Sequence, residues 1–240
     1  MSRFNSFYFL HIPKTGGRLF FYNVLFPLKN ILLEAKIKEL NSLQMDGPIN
    51  YYDHSQWKKE INSSTYVSSI FRDPCKHMVS LYTHSQTVNR NQIVFRNNSI
   101  DKNTLFEWLE QNEDGAKNYQ SKHLVLPTVI KDENGFKQFL NNEIITKNNV
   151  LNKINQLSLF IKPEDLSENN IKKIQKKILV DLKIPNKKIT NRAYNFEEYS
   201  NIQSKEIYQT LTNKEKEKIK TISSIDCEVY ETSNLFDHIK

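Results

Sequence analysis

Residues 11–17, His-Ile-Pro-Lys-Thr-Gly-Gly, combine the residue types that bind phosphate-like anions. The pair Gly16-Gly17 contains two of only 5 glycines in a chain of 240 residues. Glycine lets a ligand approach the backbone closely, and N–H groups at the start of a following helix attract negative charge. Lys14 and Thr15 add a cation and a hydroxyl at the same place. The segment therefore predicts an anion-binding loop, although alone it is also compatible with a tight turn bearing an exposed lysine.

The order of these residues differs from that in the nucleotide triphosphatases. Their loop reads G-x-x-x-x-G-K-[ST], with the lysine after the glycines. Here Lys14 and Thr15 precede Gly16 and Gly17. No aspartate suited to holding magnesium is obvious either, so the pattern disfavours an ATPase or a kinase.

A second segment offers another anion site. Residues 65–71 are rich in β-forming side chains and predict a strand, and Pro74 suits the first turn of a helix over 75–86. Arg72 follows the strand directly, and Ser80 lies eight residues later on the helix. The guanidinium and the hydroxyl can converge on one anion, because ligands bind at the carboxyl ends of strands in open α/β sheets. Two such sites on neighbouring strand ends indicate a ligand with two separate phosphate-like groups.

Both segments have the order strand, loop, helix, with strands at 7–12 and 65–71 and helices at 18–28 and 75–86. Two such units predict an α/β fold with a parallel sheet. No linker-like stretch divides the chain, so a single domain over residues 1–240 is expected. Apolar periodicity predicts further helices at 31–43, 104–110, 117–126, 136–145, 163–182 and 212–230, and strands at 49–52 and 157–161.

The net charge of +7 is compatible with nucleic acid, a membrane surface or small anionic ligands. Most of the 34 basic residues are lysines, many in helical runs such as 172–177 and 214–220. Runs in which glutamates or apolar residues alternate with lysines are typical of solvated helix faces rather than nucleic-acid binding surfaces. No nucleic-acid partner is therefore expected, and the rare arginines are the more informative charges.

Features that would direct the chain to a membrane or an oxidising compartment are not found. No apolar stretch reaches the ~20 residues of a transmembrane helix, and the first residues lack the pattern of a signal peptide. Cys75 and Cys227 are too few for a disulfide framework, and no Cys/His spacing indicates a zinc site. A cytoplasmic protein without a transmembrane segment is expected.

The two anion segments together resemble those of the carbohydrate sulfotransferases. Residues 11–17 look like the 5′-phosphosulfate loop of that family. Residues 72–82, Arg-Asp-Pro-Cys-Lys-His-Met-Val-Ser-Leu-Tyr, resemble its 3′-phosphate motif, Arg-Asp-Pro-x-x-Arg-x-x-Ser-x-Tyr. The resemblance implies 3′-phosphoadenosine 5′-phosphosulfate as the sulfuryl donor, no metal, and a P-loop-like three-layer fold with a central parallel sheet flanked by helices.

Further similarity points to the heparan and chondroitin uronyl 2-O-sulfotransferase-like group. Residues 51–54, Tyr-Tyr-Asp-His, resemble its histidine segment, which implies His54 as the general base. The ordinary pKa of histidine, about 6.5, suits that task at neutral pH. Asp53 is the alternative base, since related sulfotransferases use a carboxylate.

Weaker similarity extends along the chain. Residues 118–120 resemble a family Asn-x-Gln segment, and the last helix, through Asp226 and Tyr230, resembles the family's C-terminal helix. Asn191 and Arg192 look like part of the loop that closes over the nucleotide.

Two positions depart from the family pattern. Thr and Ser usually follow the two glycines, whereas this chain has Arg18 and Leu19. Arg18 has a charged fork that could bind the donor or the acceptor. His77 stands where an arginine is usual.

The resemblance assigns a role to each motif. Lys14 neutralises charge on the bridging or 5′-phosphate oxygen, the N–H groups of residues 15–17 hold the phosphosulfate, and Arg72 and Ser80 hold the 3′-phosphate. The expected acceptor is a hydroxyl of an oligosaccharide, polysaccharide or glycolipid, and the net charge is compatible with an acidic one. Two alternatives stay open: a nucleotide-dependent phosphotransferase, and a non-catalytic module that binds nucleic acid or an acidic glycan.

Overall fold

The computed structural model describes residues 4–39, 61–90, 100–125, 129–131, 137–139, 145–184, 187–189 and 202–232. The strands in this part of the chain are β1 Ser6–Leu10, β2 Lys38–Glu39, β3 Thr65–Ile70, β4 Val129–Lys131, β5 Lys137–Phe139 and β6 Leu159–Ile161. The helices are α1 Gly17–Phe20, α2 Phe26–Glu34, α3 Pro74–Arg90, α4 Lys102–Gln111, α5 Glu113–Ala116, α6 Tyr119–Val125, α7 Lys147–Ile154, α8 Glu168–Asp181, α9 Ile202–Thr210, α10 Asn213–Ile222 and α11 Ser224–Thr232. A π-helical turn, Phe21–Leu25, joins α1 to α2, and a 3₁₀ turn, Pro163–Asp165, precedes α8.

Four strands form a parallel sheet in the order β2-β1-β3-β6. Tyr8 of β1 pairs with Val67 of β3, and Ser69 of β3 pairs with Phe160 of β6. The loops that follow β1, β3 and β6 therefore leave the same edge of the sheet. The predicted α/β class with a parallel sheet is confirmed. A separate antiparallel pair joins β4 to β5.

Helices cover both faces of the sheet. Phe7 and Phe9 of β1 pack with the helical run from α1 to α2 and with α8. Tyr8 and Leu10, which alternate with them, pack with α6, α7 and α11 on the other face. Burial on both faces explains why β1 is apolar at almost every position, as is usual in parallel sheets. A further apolar cluster joins α3 to α4, α9 and α10.

The helix after the first loop contains Pro27 and runs on beyond residue 28, the predicted end of that helix. Proline lacks an N–H group, and its ring normally clashes with the carbonyl four residues earlier. The π-helical turn that precedes it opens the helix at this point, with the Phe26 N–H bonded to the Phe21 carbonyl. The helix then ends at Glu34, short of the predicted 31–43. Lys36 adopts a left-handed φ of 57°, and the Ile37 N–H bonds the Leu32 carbonyl in a Schellman pattern, which ends the helix.

Two other predictions are wrong in type or extent. Residues 137–139 of the predicted helix 136–145 form β5 instead, paired with β4. The predicted helix 212–230 is two helices, α10 and α11, interrupted at the buried Ser223. Thr212 and Glu215 form a capping box at the start of α10. Among the described helices, none has the length and apolar character required to cross a membrane.

Candidate functional site

The loop between β1 and α1 has the backbone of an anion-binding nest. Lys14 has φ 63° and Gly16 has φ 98°, both left-handed, while Thr15 between them has no positive φ. Alternation of this kind turns successive N–H groups toward one concave side, which binds anions. A left-handed lysine is strained, and such strain concentrates at functional positions.

Each glycine of the pair has its own steric reason. At Gly16, besides the left-handed φ, a Cβ atom would lie 3.1 Å from Cγ of Pro163, in the loop after β6. At Gly17, a Cβ atom would lie 2.1 Å from Cδ2 and Nε2 of the His11 ring, which stacks on Phe9. The packing of the loop therefore requires glycine at both positions.

The Thr15 hydroxyl lies inside the loop. The residue is fully buried, and Oγ1 donates a hydrogen bond of 2.8 Å to the Ile12 carbonyl. The hydroxyl therefore stabilises the turn, and the backbone of the loop is the part that can hold a ligand.

The two anion segments contact each other directly. Arg72 Nη1 donates to the Lys14 carbonyl at 3.2 Å, and His77 Nε2 donates to the Pro13 carbonyl at 2.9 Å. Two consecutive carbonyls of the first loop are thus held by the second segment. The structure brings Lys14 and Arg72 together, as the sequence predicted, and it shows that His77 anchors the loop.

Positive charges are concentrated at this edge. Burial, together with the Arg18 and Arg72 guanidinium groups, lowers the pKa of Lys14 to about 8. Burial, together with Lys14 and Arg18, lowers the pKa of His84 to about 4. Burial also lowers the pKa of Arg72, an effect that Glu164 and other acidic groups oppose. Because Arg18 and Arg72 destabilise the charged form of Lys14, an anion bound beside Lys14 would be favoured electrostatically.

Helix α3 carries a polar stripe along this site. His77, Ser80 and His84 follow one another at intervals of three and four residues, which places them on one face of the helix. His77 and Ser80 are buried, and His84 is partly buried. His84, within the predicted helix 75–86, was not among the residues expected at the site. Its spacing from Ser80 was the signal that could have placed it near the site.

Gln120 is a further residue whose role the sequence did not reveal. Its side-chain amide, which has no exposed surface, accepts from the Arg72 N–H at 2.8 Å and donates to the Arg72 carbonyl at 2.9 Å. The backbone of Arg72 is therefore fixed just beyond the end of β3. The family-like Asn-x-Gln segment was the only hint of this contact.

The loop after β6 completes this edge. Lys162 Nζ donates to the Tyr230 carbonyl at 2.6 Å and lies 4.2 Å from the centre of the Tyr230 ring. Glu164 forms an ion pair with Lys76 of α3 at 3.5 Å. Glu164, which follows β6, and Tyr230 of α11 thus lie beside the Arg72 segment.

Four predicted site residues lie outside the described residues: His54, Asp53, Asn191 and Arg192. A cavity of about 630 Å³ lies at the opposite, amino-terminal edge of the sheet, beside the start of β3 at Thr65, and neither Lys14 nor Arg72 lines it.

Comparison of the chain with protein-family models, curated proteins and solved structures found no significant match.

Proposed function

We propose that this protein is a sulfotransferase that moves the sulfuryl group of 3′-phosphoadenosine 5′-phosphosulfate to a hydroxyl of a carbohydrate or glycoconjugate. The observation that carries the proposal is the direct contact between the Lys14 loop and Arg72. It joins two anion-binding elements on adjacent parallel strands, β1 and β3. This donor carries anionic groups at both ends, so it matches a site with two anion-binding elements.

Each element has chemistry suited to one end of the donor. The nest around Lys14 and Gly16 offers N–H groups to the phosphosulfate. Arg72 uses one N–H on the Lys14 carbonyl, and a guanidinium has five, so donors remain for the 3′-phosphate. The Ser80 hydroxyl, on the polar stripe of α3, is the second proposed ligand of that phosphate.

Lys14 is proposed to stabilise the leaving group. In the transfer, the bond between sulfur and the bridging phosphate oxygen breaks while the acceptor oxygen bonds to sulfur and releases its proton. With its pKa lowered to about 8, Lys14 is still mostly protonated at neutral pH. Its charge can therefore offset the negative charge that develops on the 5′-phosphate.

His54 is the proposed acceptor of the hydroxyl proton, with Asp53 as the alternative. We expect His54→Ala to abolish turnover while 3′,5′-phosphoadenosine still binds. Normal turnover in His54→Ala together with loss of turnover in Asp53→Ala would transfer the role to Asp53. Screening desulfated glycans with labelled donor identifies the acceptor.

The finer fold assignment is part of the same proposal. Parallel strands, helices packed on both faces and an anion loop after β1 support a P-loop-like three-layer domain over residues 1–240. The tight packing of Gly16 against Pro163 of the loop after β6 supports one continuous ligand edge.

Calorimetric binding of three ligands tests the function: 3′,5′-phosphoadenosine, ATP with magnesium, and heparin. We expect 3′,5′-phosphoadenosine to bind without metal, and Lys14→Ala or Arg72→Ala to weaken it about tenfold or more, as for loss of a charge-assisted hydrogen bond. Lys218→Ala is the matched control, because it also removes one positive charge but from an exposed pair with Glu110. Its affinity should equal that of the wild type.

Two outcomes would replace the proposal. Tighter binding of ATP with magnesium than of 3′,5′-phosphoadenosine would favour a phosphotransferase. Salt-sensitive binding of heparin that survives Lys14→Ala and Arg72→Ala together would favour a non-catalytic polyanion-binding protein.

A further inference from the structure

Side chains at the starts of α6 and α11 cap each other's first turns. The Asp226 carboxylate of α11 accepts from the N–H groups of Gln120 and Ser121 of α6, at 3.2 and 2.9 Å, and from the Ser121 hydroxyl at 2.5 Å. In return, Asn118 Oδ1 accepts from the Ile225 and Asp226 N–H groups, at 2.9 and 3.4 Å. Such side-chain caps satisfy N–H groups that have no partner within the helix. The start of α6 is thus fixed against α11.

Gln120 connects this pair of helices to the anion site. Its backbone N–H is held by Asp226, while its side-chain amide bonds both the N–H and the carbonyl of Arg72. The amide thereby bonds the backbone just past Ile70, the last residue of β3, as a neighbouring strand would. Arg72 in turn donates to the Lys14 carbonyl. A continuous chain of hydrogen bonds therefore runs from Asp226 through Gln120 and Arg72 to the anion loop.

The residues of α6 and α11 that hold Arg72 are buried, while Arg72 itself is partly exposed. Gln120 and Ser121 have no exposed surface, Asp226 is 1% exposed and Asn118 is 5% exposed. Burial removes competing water, so each hydrogen bond holds its partner in one position and a broken bond leaves an unsatisfied buried group. We therefore expect a shift at Asp226 to displace the Gln120 amide and, with it, the Arg72 backbone.

We propose that Asp226 is a positioning residue for the Arg72 anion site, acting through Gln120. It orients the first turn of α6, so that the Gln120 amide holds the backbone from which the Arg72 guanidinium extends. Binding sites require supporting residues that hold the contacting groups to within ~0.5 Å. The identity of the ligand rests on the proposed function, whereas the coupling of Asp226 to Arg72 does not.

Three variants and one control test the coupling. Asp226→Asn keeps the size of the side chain but replaces one acceptor oxygen by a donor, which faces a backbone N–H. Gln120→Met keeps the volume and removes both bonds to Arg72, and the third variant combines the two changes. Ser167→Ala is the control, because it removes the cap of α8, on the other face of the sheet.

The readouts are hydrogen exchange of the Arg72 amide and the Kd for 3′,5′-phosphoadenosine. We expect each single variant to speed exchange of this amide and to raise Kd about tenfold, the effect of one lost buried hydrogen bond. The double variant should bind no more weakly than Gln120→Met alone, because both changes act on one chain of contacts. Ser167→Ala should leave both readouts unchanged.

The possible results separate the two proposals. Unchanged Arg72 exchange in Asp226→Asn, or a double-variant Kd equal to the combined effects of the single variants, overturns the positioning role. If the Arg72 amide exchanges faster in Asp226→Asn but the wild-type protein does not bind 3′,5′-phosphoadenosine, the positioning role is supported and the proposed ligand is overturned. If Asp226→Asn does not fold, Ser121→Ala removes one donor to Asp226 and must show the same direction of change in exchange.

Discussion

The His77 imidazole donates from Nε2 to the Pro13 carbonyl at 2.9 Å, across 64 positions of sequence. His77 is 1% exposed, and the family motif that residues 72–82 resemble usually has arginine at this position. Because Arg72 holds the adjoining Lys14 carbonyl, the histidine and the arginine together fix the loop that precedes α1. The departure from the motif thus has a structural role.

His77 should make the protein sensitive to acid. Burial lowers the pKa of His77 from 6.5 to about 3, an effect that Arg72 and Lys14 increase and the bond to Pro13 opposes. Between these pH values the unfolded chain takes up a proton that the folded chain does not, so stability falls as pH decreases. In His77→Gln, the loss of unfolding free energy from pH 7 to pH 4 should be smaller by about 3 kcal/mol. Urea denaturation measures it, and equal pH dependence in both proteins would refute the prediction.

Asp226 should have the opposite pH dependence. Burial raises its pKa from 3.8 to about 6, although hydrogen bonds from Ser121 and Gln120 oppose the shift. The folded protein keeps this proton at pH values where the unfolded chain has lost it, so stability falls as pH rises from about 4 to 6. The unfolding free energy of Asp226→Asn minus that of the wild type should therefore be higher at pH 7 than at pH 4, by about 3 kcal/mol at most. Urea denaturation of both proteins at pH 4 and pH 7 measures this difference. The same difference at both pH values would contradict the raised pKa of Asp226.

Gly17 should not tolerate a side chain. A Cβ atom there would lie 2.1 Å from the His11 ring, so Gly17→Ala must displace the imidazole. We expect a loss of about 1–3 kcal/mol in unfolding free energy, typical of overpacking, and weaker binding of 3′,5′-phosphoadenosine. Gly115→Ala is the control, because nothing lies within 4 Å of its Cβ position. This helical substitution should be neutral or stabilising by up to about 1 kcal/mol. Equal stability of the two variants would rule out the steric role of Gly17.

Ligand affinity should depend on the charge of Lys14. In the free protein its pKa is lowered to about 8, so the ammonium group loses its proton as pH rises above that value. An anion binds the protonated form, and we expect the affinity for 3′,5′-phosphoadenosine to fall between pH 8 and 10. Lys14→Arg should extend binding to higher pH, because guanidinium stays charged throughout this range. Calorimetry across this pH range tests the point, and identical profiles for both proteins would count against Lys14.

Local sequence determined the main elements of the fold. The apolar and β-forming residues of the runs that became β1, β3 and β6 indicated strands, and the strand–loop–helix order of the first two units indicated a parallel sheet. The strand–loop–helix order also indicated that Lys14 and Arg72 lie at one edge, because carboxyl ends of parallel strands coincide. Two predictions were wrong because tertiary structure overrode local propensity. A π-helical turn carries the helix past Pro27, and strand pairing replaces the start of the predicted helix 136–145.

Tertiary structure decided how the site is held together. The sequence identified Lys14, Gly16, Gly17 and Arg72 by type and spacing, since local chemistry is sufficient to recognise an anion-binding loop. It did not show that His77 contacts Pro13 or that Gln120 bonds Arg72. These contacts join segments 64 and 48 residues apart, and only the packing of helices against the sheet brings them within hydrogen-bond distance. Sequence therefore determined which residues could bind an anion, and the fold determined which residues hold them in place.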